Sequence, residues 1–177
     1  MVISSLNTTR ILELIRFIET CLNELKPFSK MTKKKFLSDR KNPPFVESYL
    51  RRSLEAVFDI GRHILAKTQG FKEIEYKTIV KELGERGIIS KELSDSLYVM
   101  AGYRNRMVHF YREVTPEELH QIVVNNLKDL ERFVSEIVAF IRTYEKKVRR
   151  SKPYRYLYNF NLEYCAMCSK SLSVVKR

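Results

Sequence analysis

Residues 115–144 read TPEELHQIVVNNLKDLERFVSEIVAFIRTY, and this stretch decides the fold class. Thr115 at the N-cap, Pro116 at the first helical position and Glu118 three residues on make a capping box. Leu119, Ile122, Val123, Leu127, Leu130, Val134, Ile137, Val138 and Ile141 then recur at helical spacing to about Tyr144. A helix this long with one apolar face needs partners of the same kind, and the rest of the chain supplies them.

Upstream, Ser90 is placed to cap a helix to about Val108, with Leu93, Leu97, Met100, Ala101 and Met107 facing inward. A shorter helix over about Thr78 to Leu83 is expected to end at Gly84. Before it, a long helix from about Phe45 to Lys67 carries Val46, Leu50, Leu54, Val57, Phe58, Gly61, Ile64 and Leu65 on one side. Arg51, Arg52, Glu55, Asp59, Arg62 and His63 lie on its other side, and Gln69-Gly70 closes it as a C-cap. Lys41 to Pro44 read KNPP and break the chain. Thr32 can cap a short helix through Phe36 and Leu37. The first helix runs from about Thr9 to Leu25 on Ile11, Leu14, Ile15, Ile18, Leu22 and Leu25, and Pro27 is expected to end it.

Composition agrees. Hydrophobic residues are 44% of 177, which is globular. Five Gly and five Pro are few for the tight turns of an all-β fold. The expected fold is all-α, an antiparallel bundle of about five helices over residues 1–146. No internal repeat is seen.

Residues 147–177 form a separate basic, Tyr-rich extension. They hold eight Lys/Arg against Glu163, which accounts for +7 of the net +12. Tyr154, Tyr156, Tyr158 and Phe160 alternate in the manner of a strand, with no second strand to pair with. The extension reads as a flexible basic tail, as part of a partner interface, or as a binder of single-stranded RNA by charge and stacking. The overall charge favours a polyanionic partner. The sequence opens without a signal-peptide pattern and has no apolar run long enough to span a bilayer, so a cytoplasmic chain with no membrane partner is expected.

The cysteines Cys21, Cys165 and Cys168 are too few and odd in number for a disulfide framework, which points to a reducing compartment. Cys165 and Cys168 have the spacing of half a zinc site and lack a second pair; a two-fold dimer could supply one, but the expectation is no metal there. Cys21 falls on the apolar side of the first helix. His120, just after the capping box, reads as a surface residue.

Candidate chemistry concentrates in Gly102 to Tyr111, GYRNRMVHFY, where one helix ends and a loop leads to the capping box. At about 100° per residue, Arg104 and Tyr111 share a face and Asn105 lies below His109. Arg104 and His109 are about 140° apart, a gap that the long arginine side chain can bridge. An Arg–His pair meets the needs of metal-free RNA cleavage. Histidine titrates near neutral pH and can move the proton of the 2′-hydroxyl. A guanidinium stabilises the charge of the phosphorane. The plainer reading is a cation favourably placed at a helix C-terminus. Glu55, Asp59 and His63, spaced i, i+4, i+8, share a face and can line a cleft or orient His109; a solvated polar face is the plainer reading of these three.

Arg104, four residues, His109, one residue and Tyr111 resemble the R-x4-H-x-Y signature of HepT-type toxins in the HEPN superfamily. Asn105 after the Arg and Val108 before the His also suit it. Upstream, residues 53–65, SLEAVFDIGRHIL, resemble that family's long central helix, so the resemblance covers about residues 9–144. It implies a homodimer with the two Arg–His motifs facing across a cleft. It implies RNA as the substrate, Arg104 and His109 as catalytic residues supported by Asn105, and no cofactor. It also implies that Tyr111 accepts AMP from an MntA-type minimal nucleotidyltransferase antitoxin. The alternative is a non-catalytic HEPN module that docks a nucleotidyltransferase or nucleic acid. A generic basic helical nucleic-acid binder lacks support, because no helix-turn-helix spacing is present.

Overall fold

The computed structural model describes residues 6–70, 75–108 and 114–151. All elements among these are helices: α1 (Thr8–Ser29), α2 (Lys33–Ser38), α3 (Asn42–Gln69), α4 (Tyr76–Glu85), α5 (Lys91–Val108) and α6 (Pro116–Ser151). None is long and apolar enough to cross a membrane. The chain forms two compact units, Met1–Ile137 and Val138–Arg177. In the second, the described part is the last turns of α6, where the rings of Phe140 and Tyr144 stack at 6.1 Å. All that follows concerns the first.

The six helices exceed the expected five or so by the short α2, which Thr32 caps by accepting the Lys35 N–H at 3.3 Å. Helix α6 runs to Ser151 rather than ending at about Tyr144, and so enters the expected extension; three other boundaries differ from the sequence reading, each for a backbone reason. Pro27 lies inside the last turn of α1 rather than ending it. A proline there withholds one N–H when a single turn remains, and the Ser29 hydroxyl donates to Lys26 O at 2.9 Å. Pro43 and Pro44 open α3 rather than preceding it. First-turn N–H groups have no helical acceptor, so nothing is lost by removing them. Gly84 lies within α4 rather than ending it. At the other end of α3, Gly70 closes the helix with a left-handed φ of 68°.

The apolar stripes read from the sequence meet in one core. Ile11, Ile18, Leu22 and Leu25 of α1, Val46, Leu50, Leu54, Val57, Phe58, Ile64 and Leu65 of α3, and Leu93, Leu97 and Ala101 of α5 are fully buried; Met107 is only half-buried. Phe36 from α2 and Phe133 from α6 complete it. Cys21 is buried as well, and burial pushes its thiol pKa up.

Helix α4 is drawn close to its neighbours on both sides at glycines. A Cβ on Gly61 of α3 would lie 2.8 Å from Ile79 Cγ2. A Cβ on Gly84 would lie 2.6 Å from Ser94 Cβ in α5. Ser94 is buried and donates to Val80 O at 2.9 Å, so the polar atom at this crossing is satisfied.

Polar contacts tie α6 to the bundle. The Glu136 carboxylate accepts from the Ser90 N–H at 2.6 Å and from its hydroxyl at 2.8 Å. Ser90 therefore leads into α5 without its side chain capping it, and a carboxylate from α6 sits at that N-terminus, where the helix dipole favours an anion. His120 is half-buried, not a surface residue. Its Nε2–H donates to Met31 O at 2.8 Å and its ring lies 5.2 Å from that of Phe36. The turn after α1 and helix α2 cover it.

Candidate functional site

Arg104 lies on α5 one turn before the end of the described helix, and its side chain is only 18% exposed. Its Nε and Nη2 both donate to Glu55 Oε2, at 2.7 and 2.6 Å. The other oxygen of Glu55 accepts the Tyr76 hydroxyl at 3.0 Å. The guanidinium lies 4.4 Å from the centroid of the Tyr76 ring, which stacks on Phe58 at 4.6 Å. Arg104 is thus gripped along one edge by a carboxylate from α3 and rests on an aromatic face from α4. Burial, followed by the bond to Glu55, raises the Tyr76 pKa, so its hydroxyl stays a donor.

A cleft of about 360 Å³ opens beside this group, lined by Leu14, Phe17, Arg51, Arg52, Glu55, Ala56, Asp59 and Arg104. Glu55 and Asp59 therefore share a cleft with Arg104. Asp59 pairs with Arg62 Nη1 at 2.8 Å. His63 is not among the lining residues. Its Nε2 accepts the Asn7 N–H at 3.2 Å, while Asn7 Oδ1 accepts from the Arg10 N–H at 3.1 Å and caps α1. Burial, Lys67 and Arg10 lower the His63 pKa, which favours the neutral ring that this acceptor role requires. Asn105 is half-buried on α5. His109, Tyr111, Cys165, Cys168 and the alternating tail residues Tyr154 to Phe160 lie outside the described residues. Among the described residues, no cluster of three or more His, Cys, Asp or Glu is arranged to hold a metal ion.

One contact that spacing does not reveal joins the end of α5 to the start of α6. Arg106 Nη1 and Nη2 donate to the two oxygens of Glu118, at 2.7 and 2.9 Å. Glu118 also completes the capping box: its carboxylate accepts the Thr115 N–H at 2.9 Å, and its own N–H donates to Thr115 Oγ1 at 3.2 Å. The end of α5 is thereby clamped to the start of α6. Arg106, and then the Thr115 N–H, pull the Glu118 carboxyl from its ordinary 4.5 down to about 2. A lowered carboxyl pKa means stability that is full above about pH 4.5 and drains away as pH falls toward 2. Urea midpoints of the native chain and Glu118→Gln, which keeps the capping box, are expected to differ most at pH 6. The gap should narrow steadily below pH 4; a gap independent of pH would contradict the assignment.

Tyr76 was not legible as a site residue. It stands 21 positions from Glu55 at the head of a short helix, with no motif around it. Its only sequence signal is that it is an aromatic residue at a helix start.

Comparisons with known proteins bear on what this geometry serves. The chain is 27% identical over 133 residues to the tRNA nuclease HepT of Aphanizomenon flos-aquae, spanning 75% of this chain and 90% of that one. It is 33% identical over 90 residues to the mRNA nuclease HepT of Shewanella oneidensis, 51% of this chain and 68% of the other. The tri-AMPylated HEPN toxin of Shewanella oneidensis, solved in complex with its MNT antitoxin, superposes with a TM-score of 0.67 at 28% identity, over 73% of this chain and 97% of that one. The sequence model of the HepT-like ribonucleases matches residues 18–137, a span that contains Glu55, Tyr76, Arg104, His109 and Tyr111. The chain belongs to the HepT-like ribonuclease family.

Proposed function

We propose that this protein is the toxin of a toxin–antitoxin pair, a metal-independent endoribonuclease in which Arg104 and His109 carry the reaction. The observation that carries this reading is the gripped arginine: the Arg of an R-x4-H-x-Y run, held by Glu55 and Tyr76 beside an open cleft, in a chain of the HepT-like family. His109 moves the proton of the 2′-hydroxyl, whose oxygen attacks the adjacent phosphorus. Arg104 stabilises the charge on the phosphorane. The P–O5′ bond breaks and the 5′-oxygen leaves with a proton, giving a 2′,3′-cyclic phosphate and a 5′-hydroxyl. Asn105 supports the pair. The working form is a homodimer with two such motifs facing across one cleft.

Silencing follows from the same electrostatics. The partner is a minimal nucleotidyltransferase of the MntA type, like the antitoxin in the related Shewanella oneidensis complex. The Tyr111 oxygen attacks the α-phosphorus of ATP and pyrophosphate leaves. The resulting AMP ester adds negative charge and bulk two residues from His109, where it competes with the RNA phosphate for Arg104.

The test is cleavage of total RNA in EDTA by the purified chain, its unmodified state at Tyr111 verified by intact mass, with end-group analysis of the products. Cyclic ends are expected, and cutting should stop once the antitoxin and ATP have added AMP. An unmodified dimer that leaves RNA intact would overturn the reading in favour of a docking module. Glu55 and Tyr76 are positioning residues for Arg104. Glu55→Ala is expected to lower kcat about tenfold to a hundredfold, since small misplacements of a reacting group carry costs of that size. Tyr76→Phe, which keeps the ring and loses only the bond to Glu55, is expected to cost less than tenfold. Equal losses in the two variants would contradict these roles.

A further inference from the structure

We infer that the face of α3 leading away from Arg104 is a track for single-stranded RNA, with Arg51, Arg52, Phe17 and Tyr49 holding the nucleotides that flank the scissile one. This rests on the ribonuclease reading and adds to it the substrate's path and its single-stranded form.

The acids of the cleft are already neutralised, Glu55 by Arg104 and Asp59 by Arg62. No described carboxylate forms an ion pair with Arg51 or Arg52, and both side chains are exposed. Among the described residues, the cleft therefore offers an anion two guanidinium groups without a carboxylate partner, beside the arginine assigned to the reaction. It also offers aromatic faces. The Arg52 guanidinium lies 5.0 Å from the Phe17 centroid and 5.8 Å from that of Tyr49. Tyr49 in turn lies 4.7 Å from Phe45, which is itself exposed at 36%. The Arg52 cation and the rings of Tyr49 and Phe45 follow one another from the cleft, over about 15 Å along α3. Beyond lies the exposed basic helix α2. Residues 28–59 hold eight Lys/Arg and four Asp/Glu.

Charge interleaved with half-buried rings is the chemistry that retains unpaired nucleotides: cations follow the phosphates and bases stack on the rings. A duplex hides its bases within its own stack, so the rings would serve no purpose for it.

The test measures fluorescence anisotropy of a fluorescein-labelled single-stranded RNA of about twelve nucleotides, and of its duplex, with the full chain carrying His109→Ala so that the probe survives. Arg51→Ala/Arg52→Ala in that background is expected to weaken single-strand binding at least about tenfold. It should also lower the slope of log affinity against log salt by about 1.4, at about 0.7 for each phosphate no longer neutralised. Phe17→Ala and Tyr49→Ala should each weaken binding about fivefold or more with the slope unchanged, because stacking releases no counterions. In the cleavage-competent chain, the double arginine variant should raise KM more than it lowers kcat.

Three binding results would overturn the track. One is single-strand affinity and salt slope equal to those of the parent. Another is tighter binding of the duplex. The third is a change in oligomeric mass of the double variant, which would make this face an interface between copies of the chain. Cleavage by the native chain with no effect of these substitutions would remove the track and leave the ribonuclease reading intact. Absence of cleavage by the native chain would instead remove the ribonuclease reading.

Discussion

Arg104→Ala and His109→Ala are each expected to reduce single-turnover RNA cleavage in EDTA by about a hundredfold to ten-thousandfold. Loss of a general acid–base group and loss of a charge-stabilising donor each cost within that range. The two variants should fail differently. Without His109, the 2′-hydroxyl keeps its proton and the pH–rate profile loses its limb near neutrality. Without Arg104, the limb remains and only the height of the profile falls. The double variant should be little worse than either single one, since groups that act on one transition state are not additive. Stability should fall only modestly in Arg104→Ala. Its partner Glu55 is 40% exposed and can turn to water, so the broken pair costs about 1 kcal/mol, and the lost contact with the Tyr76 ring about as much again. Activity lost far out of proportion to a small drop in melting temperature is thus the expected signature. Wild-type rates in either variant would remove the proposed mechanism.

Gly84→Ala and Gly102→Ala should shift stability in opposite directions. Both glycines lie inside helices, where alanine is favoured by about 0.5–1 kcal/mol on backbone grounds. At Gly102 the new Cβ would meet only Lys77 Cε at 4.0 Å, so that gain should be realised in full. At Gly84 it would meet Ser94 Cβ at 2.6 Å and Oγ at 2.7 Å. Neither is the tip of a flexible chain, and Ser94 is held by its bond to Val80 O. Helices α4 and α5 must separate, which costs about 1–3 kcal/mol beyond the propensity gain. Urea denaturation of the two variants checks the sign directly. The consequence reaches the site, because α4 carries Tyr76 and α5 carries Arg104. Gly84→Ala should therefore also lower cleavage, whereas Gly102→Ala should not lower it through this packing.

The helices were legible because each is written within a few residues. The apolar spacing of α6, its Thr115–Glu118 capping box and the Gly70 stop all depend on interactions inside one turn or along one face. The prolines show the limit of that reading. Pro27, Pro43 and Pro44 read as breaks, yet each falls where a missing N–H costs little, and that depends on a position in the helix that composition does not encode. The run from Arg104 to Tyr111 was equally legible, because its pattern is contiguous.

What the sequence by itself determined is the all-helical class, the core stripes and the R-x4-H-x-Y run on which the proposed reactive residues lie. Only the tertiary structure decided which polar groups meet. Glu55, Asp59 and His63 are equivalent by spacing on α3, yet Glu55 takes Arg104 from 49 positions away, Asp59 takes Arg62, and His63 turns to the Asn7 N–H at the start of α1. Tyr76 joins them from a helix held close by Gly61 and Gly84. Helical periodicity is a property of one segment's backbone and is written in its residues. The pairing of side chains across segments depends on the rotation and separation of packed helices, which are set by the shapes of all the residues between them.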